Sequence, residues 1–315
     1  MKLSSVVASL TLGLLFIASA SARSPVGQPA ARLRDRPDTT ADLIERCADV
    51  PGFLDATDAA LFVRLAEIQA NRDIRGHLLE IGAWYGRSAI ALGFVKRQDE
   101  ELHVCDLFDM PPPTAAGRRE LAGVPSEAPS RAQFEAAYEG VHGELPYVHQ
   151  CPSSTLSARE LGLNQFRFIH IDGSHVYDAV VADIALARDL TADGGIVVFD
   201  DFANLGHLGV AAAVWPSVVR REFEPFACTH AKLYATSEKR HAAAYRDAVE
   251  TFARERGDEV RRTDFPGSTA IIATWSPPQP LRARMLDRAN RTLRSSVSRI
   301  GSSLGIRRSS RGVEN

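Results

Sequence analysis

At 315 residues, with 45% hydrophobic and 24% charged side chains, the chain can bury one sizeable core and still carry polar extensions. Its 37 basic side chains nearly balance 39 acidic ones, a net charge of −2, so no global field favours nucleic acid or an anionic surface. Four widely spaced cysteines, Cys47, Cys105, Cys151 and Cys228, form no C-x-x-C pair, which argues against a zinc ribbon or a redox motif and for buried thiols.

In chain order, Lys2 precedes an apolar run from Leu10 to Ala18 that ends in Ala18-Ser19-Ala20-Ser21-Ala22, so residues 1–22 read as a signal peptide. The run is short for a membrane span; a start codon placed too far upstream is the alternative, and the compartment stays open between export and cytoplasm. Residues 23–40, rich in Pro, Arg and Ala, read as a linker, and the fold is expected over 41–276. From Leu43 to Ala70 apolar positions recur at helical spacing with a break at Pro51-Gly52, which predicts two helices, the second capped by Asp55 or Thr57.

Short apolar runs at 77–81, 102–105, 147–151, 166–171 and 195–199 then alternate with helical segments, 88–97 and 177–190 among them. That alternation predicts an α/β fold with a mainly parallel, doubly wound sheet covered by helices. Tyr177, Val180, Val181, Ile184 and Ala187 make one apolar stripe that should pack on the sheet. Residues 226–236 and 268–274 look like a closing pair of strands before Pro277-Pro278. Residues 109–130, with Pro111-Pro112-Pro113, Gly117 and Pro129, form a long insertion after the second strand, either an active-site lid or a surface loop. The tail, 277–315, has nine arginines between Arg282 and Arg311 with Leu286, Leu293, Val297, Ile300 and Leu304 interleaved; it reads as a solvated tail, or as a basic amphipathic helix making a weak membrane-surface contact.

The first strand runs into Glu80-Ile81-Gly82-Ala83-Trp84-Tyr85-Gly86-Arg87-Ser88. Gly82 and Gly86 let the turn bend sharply and bring a ligand close to backbone N–H groups, and Ser88 stands where the next helix begins. The spacing is not the Gly-x-Gly-x-x-Gly of a pyrophosphate site, and Glu80 places negative charge there, which suits a sulfonium or an amino group. About twenty residues on, Asp106 ends the second strand, where an acid can accept both ribose hydroxyls of an adenosine, or cap a helix. Ser153 and Ser154, after the third strand, are placed to reach an adenine edge or to cap the next helix.

On these residues the chain resembles the class I S-adenosylmethionine-dependent methyltransferases, in the branch with macrocin-type sugar O-methyltransferases and cephalosporin hydroxylase-like proteins. The resemblance runs over about residues 75 to 240 and rests on Glu80-Ile-Gly-x-x-x-Gly-x-Ser88, Asp106, Ile171-Asp172-Gly173-Ser174-His175-x-Tyr177, Gly194-Gly195 through Asp200-Asp201, Gly209-Val210 and Lys232-Leu233-Tyr234. It implies a seven-stranded Rossmann-like sheet with one antiparallel strand, Glu80, Gly82, Gly86 and Ser88 at the methionine part of the cofactor, and Asp106 at the ribose.

Asp172 ends the fourth strand and Asp200 with Asp201 ends the fifth, so three carboxylates should meet at one sheet edge and need a counter-charge. Hard oxygen ligands in this number suit Mg²⁺, which would bind acceptor hydroxyls and hold one in line with the donor methyl. Helix capping or pairing with arginines is the alternative. Methyltransferases resembling catechol O-methyltransferase carry a base three residues after the first acid; here that residue is His175, whose ordinary pKa near 6.5 suits a general base. Sugar O-methyltransferases tend to have an acid two residues after it, where this chain has Ser174. The expectation is S-adenosylmethionine-dependent, metal-assisted O-methylation of a small hydroxylated acceptor. A hydroxylase on the same fold and a non-catalytic binding protein are the alternatives; no two-histidine-one-carboxylate group is evident beside Asp172, which counts against a non-haem iron site.

Overall fold

The structure, a computed structural model, describes residues 40–124 and 128–274. The signal peptide, the linker up to residue 39 and the basic tail lie outside these residues. No helix among the described residues is long and apolar enough to cross a membrane.

Two helices precede the sheet, α1 (Thr40–Ala48) and α2 (Ala56–Asn71). Asp55 starts the second: its backbone is extended and its carboxylate accepts from the Asp58 N–H at 2.9 Å, satisfying one of the first-turn donors. Next come β1 (His77–Ile81), α3 (Arg87–Val95), β2 (Leu102–Asp106), α4 (Ala115–Ala122), α5 (Arg131–His142) and β3 (Tyr147–Gln150). They are followed by α6 (Ala158–Leu161), β4 (Phe166–Ile171), α7 (Tyr177–Leu190), β5 (Thr191–Phe199) and α8 (Leu208–Val219). The described fold closes with β6 (Glu224–Cys228), β7 (Leu233–Thr236), α9 (Lys239–Glu255), β8 (Glu259–Phe265) and β9 (Ser268–Thr274).

The strands form one sheet in the order β3-β2-β1-β4-β5-β7-β6-β9-β8. Parallel pairing joins β3 through β5, and every residue of β4 is buried, as strands covered on both faces require. The expectation of seven strands with one antiparallel is corrected to nine: β7 runs antiparallel between β5 and β6, and the β8–β9 hairpin adds a second reversed strand, β8, at the edge. The run 226–236 holds a strand pair in itself, β6 and β7, whereas β9 pairs in parallel with β6. β8 escapes the sequence pattern because its side chains are mostly exposed and charged, so it shows no apolar run.

One core layer joins α1, α2, α3, α5 and α9 to the sheet through Leu61, Phe62, Leu65, Ile90, Phe134 and Tyr245. The other joins α7 and α8 through Val180, Ile184, Val214 and Val218. On α7 the predicted stripe holds at Val180, Ile184 and Ala187, but Tyr177 and Val181 are exposed and Asp183 is buried instead. All four cysteines are free thiols, three of them buried.

Candidate active site

The carboxyl ends of β1, β2, β4 and β5 meet where strand order reverses between β1 and β4, the position at which open α/β sheets bind ligands. The β1 turn is built by close approach of main chains: a Cβ on Gly82 (φ +83°) would lie 2.0 Å from the Asp172 carbonyl oxygen. Asp172 in turn donates its N–H to Ile81 O at 2.7 Å. Gly86 (φ +96°) gives the left-handed residue before α3 and faces the Phe134 ring.

Glu80 and Ser88 do come together, but with each other: Ser88 Oγ donates to Glu80 Oε1 at 2.5 Å, and Glu80 is fully buried. Asp106 closes the turn. Its Oδ2 accepts from the Ala83 and Trp84 N–H groups at 2.6 and 2.9 Å, and its Oδ1 from Phe108 N–H at 2.5 Å. A carboxylate offers about four acceptor positions, so in this arrangement three are taken and a ribose finds at most one. Burial raises the Asp106 pKa, against the pull of these backbone donors. Ser153 lies in a short 3-10 turn after β3, near Asp183, whose carboxyl is buried and pushed up to about 6 by that burial, with Ser153 drawing it back.

Behind the turn runs a row of buried polar groups. His170 Nδ1 sits 3.1 Å from both Glu80 oxygens, and Lys232 Nζ is 3.1 Å from His170 Nε2. Lys232 also pairs directly with Asp200. Burial works against its charge, but Asp200, Asp172 and Asp58 outweigh burial and keep the ammonium protonated. Burial and the neighbouring Asp200 push Asp172 well above the usual carboxylate range, whereas Lys232 and His170 overcome burial and hold Asp200 below it.

Within the acidic set expected to hold Mg²⁺, Lys232 pairs with Asp200 and supplies counter-charge to Asp172 as well. Asp201 leaves the set altogether. With φ +56° it turns its carboxylate toward the loop that precedes α8, where Oδ2 lies 2.8 Å from His175 Nε2 and 2.9 Å from His207 Nδ1, and Oδ1 accepts from Asn204 Nδ2 at 2.7 Å.

His175 stands between two acids. Glu120 of α4 accepts from Ser174 Oγ and from the His175 backbone N–H, each at 2.6 Å, and its Oε1 lies 2.7 Å from His175 Nδ1. The described part of the insertion is thus ordered, its helix docked on the turn after β4. Burial alone would lower the His175 pKa, but Asp201 and Glu120 outweigh it and push it up to about 9, so the unperturbed value expected from the sequence does not hold. The His207 ring stacks on His175 with centroids 3.7 Å apart and planes 7° off parallel. A two-histidine-one-carboxylate group is present after all, one turn away from Asp172.

Glu120, His170, His207 and Lys232 carry much of this geometry, and sequence reasoning assigned a role to none of them. His170 had a local signal, since with Arg167 it is one of two polar residues in the otherwise apolar β4; Glu120 had none.

Residues 79–202 match the family described as a methyltransferase domain. Among solved structures the chain is similar to the O-methyltransferase NovP, at 16% identity, covering 58% of this chain and 81% of that one, with a TM-score of 0.50. It is also similar to CalS11, the TDP-rhamnose 3′-O-methyltransferase of calicheamicin biosynthesis, at 14% identity, 62% and 92% coverage and a TM-score of 0.40. An O-methyltransferase from Bacillus cereus in complex with SAH follows at 16% identity, 76% and 90% coverage and a TM-score of 0.35. At these identities the NovP likeness shows the fold. No curated protein matches the chain.

Proposed function

We propose that this chain, whose residues 79–202 match a methyltransferase domain, transfers the methyl group of S-adenosylmethionine to a hydroxyl of a small acceptor bound beyond the ends of β4 and β5. The observation that carries the reading is the Glu120–His175–Asp201 cluster, which stands beside the Gly82 turn because Gly82 packs directly on the Asp172 main chain.

In this reading the β1 turn and Ser88 hold the methionine part of the donor. Asp106, freed of a backbone partner, meets the ribose, and Ser153 stands at the adenine. Methyl transfer is a direct displacement: the acceptor oxygen forms the new C–O bond as the C–S bond breaks. The hydroxyl proton leaves to His175 in its neutral form; because the flanking carboxylates raise its pKa to about 9, that form is the minor one at neutral pH, and turnover is expected to rise with pH up to about 9.

Two measurements test the proposal. Calorimetry of the full chain with S-adenosylmethionine is expected to show one donor per chain, and absence of any binding would overturn it. With an acceptor found by labelled methyl transfer into cell extract, His175→Ala is expected to lower turnover by roughly 10²–10⁴-fold with donor affinity little changed.

A further inference from the structure

We propose that the outer face of α8 is the contact surface of a symmetric dimer, covered by the same face of a second copy of this chain. Leu208, Ala212, Trp215 and Val219 are all exposed and follow one another at spacings of four, three and four residues. That is the repeat by which one helix presents a seam to another. No charged side chain interrupts α8, and its one hydroxyl, on Ser217, is buried and donates to Val214 O at 2.7 Å. A helix apolar on every side needs cover on every side. Within the chain, the sheet and α7 cover only the face that carries Val210, Val214 and Val218.

The open area is of the size a stable association needs. Leu205, in the turn just before α8, is 86% exposed, Leu208 62% and Val219 60%. Tyr177 of α7, whose backbone nitrogen would lie 3.3 Å from a Cβ on Gly209, is exposed beside them. Together these side chains present several hundred Å² of apolar surface, the most that a lone chain commonly shows and the bulk of the ~800 Å² that each partner gives to a standard interface. A twofold axis across the seam runs the two helices antiparallel and makes the face complementary to itself. The partner's Trp215 then meets Ala212, a large ring against the smallest side chain of the row, and the partner's Val219 meets Leu208. Trp215 is already fixed for that role: its ring stacks on Phe265 with centroids 5.2 Å apart and lies 5.8 Å from the Phe202 ring, so little freedom is lost when its outer edge is covered. The seam also ends beside the candidate active site. His207, the neighbour of Leu208, stacks on His175, so the second copy stands at the rim of the His175 cluster.

Sedimentation velocity of the full chain over a dilution series is expected to show monomer and dimer in exchange, with twice the chain's mass at the concentrated end. Ala212→Glu puts a carboxylate at the middle of the exposed seam. It is expected to raise the dimer dissociation constant at least ~30-fold with unchanged far-ultraviolet circular dichroism. Val219→Glu carries the same expectation and decides the matter if Ala212→Glu does not fold. Ala212→Cys, treated with a short bis-maleimide, is expected to join two chains through position 212 on each, as mapped by mass spectrometry. A chain that stays monomeric throughout, or a dimer whose constant ignores both glutamate variants, would overturn the proposal. So would a cross-link from Ala212→Cys to the chain's own residues 275–315, which would make the tail the occupant. Flotation of the chain with phosphatidylcholine vesicles in place of self-association would overturn it too, by making the occupant a lipid surface. None of these readouts needs methyl donor or acceptor, so their failure leaves the methyl-transfer reading standing.

Discussion

Lys232 decides the electrostatics of the interior. Its ammonium is almost wholly buried between Asp200 and His170, and removing a partner from a buried pair leaves a charge with no water to solvate it. Lys232→Met is therefore expected to cost about 3–5 kcal/mol in a urea titration; a loss well below that would mean that Asp200 simply takes up a proton. Asp183 offers a second check. Its carboxyl is pushed up to about 6 by burial, with Ser153 pulling it back, and one oxygen has no hydrogen-bond partner. The folded chain thus holds this proton more tightly than the unfolded chain does. The stabilising contribution is complete below the unfolded value of 3.8 and disappears as pH rises through about 6. Relative to the parent chain, Asp183→Asn should give no gain at pH 4 and a gain on the order of 3 kcal/mol at pH 7.5. Paired denaturation curves at the two pH values read this directly.

Among the elements, the junction of the β4 turn with α8 leaves no room for a side chain at Gly209. Gly209→Ala places a methyl against the His175 carbonyl, and the resulting shift of α8 is expected to cost about 1–3 kcal/mol. Near-ultraviolet circular dichroism from the Phe202–Trp215 pair would follow the displacement. The same junction shows what could be read in advance. The strand and helix alternation, the Asp55 cap, the turn at Gly82 and the convergence of Asp172 with His175 all follow from local period and from residues at strand ends. Glu120 and Ser174 are 54 residues apart in the chain, and no periodicity links an acid in a proline-rich insertion to a serine after β4. Lys232 is likewise 62 residues from His170. Spacing announced that three acids needed a counter-charge; only packing reveals the buried lysine that stands beside two of them.

For the molecule as a whole, the open ends of the sheet are β3 and β8. Arg261 and Arg262 are exposed on β8, the charged kind of edge that resists pairing with another chain. Replacing both with Val is expected to produce concentration-dependent association, seen as rising light scattering, without loss of the chain's secondary structure. The interior row works in a different sense. Glu80 comes from β1, His170 from β4, Asp200 from the end of β5 and Lys232 from the start of β7, so four neighbouring strands each contribute one member. Their apolar residues would tolerate several alignments, because Val, Ile and Leu are nearly interchangeable along a buried strand. A slip of one residue, however, would turn Glu80 or His170 to the opposite face and maroon a polar group without its partners among phenylalanines and leucines. The polar row is thus a checksum on strand alignment: only one register lets every polar group find its partner, and a misaligned sheet is penalised before the site can form.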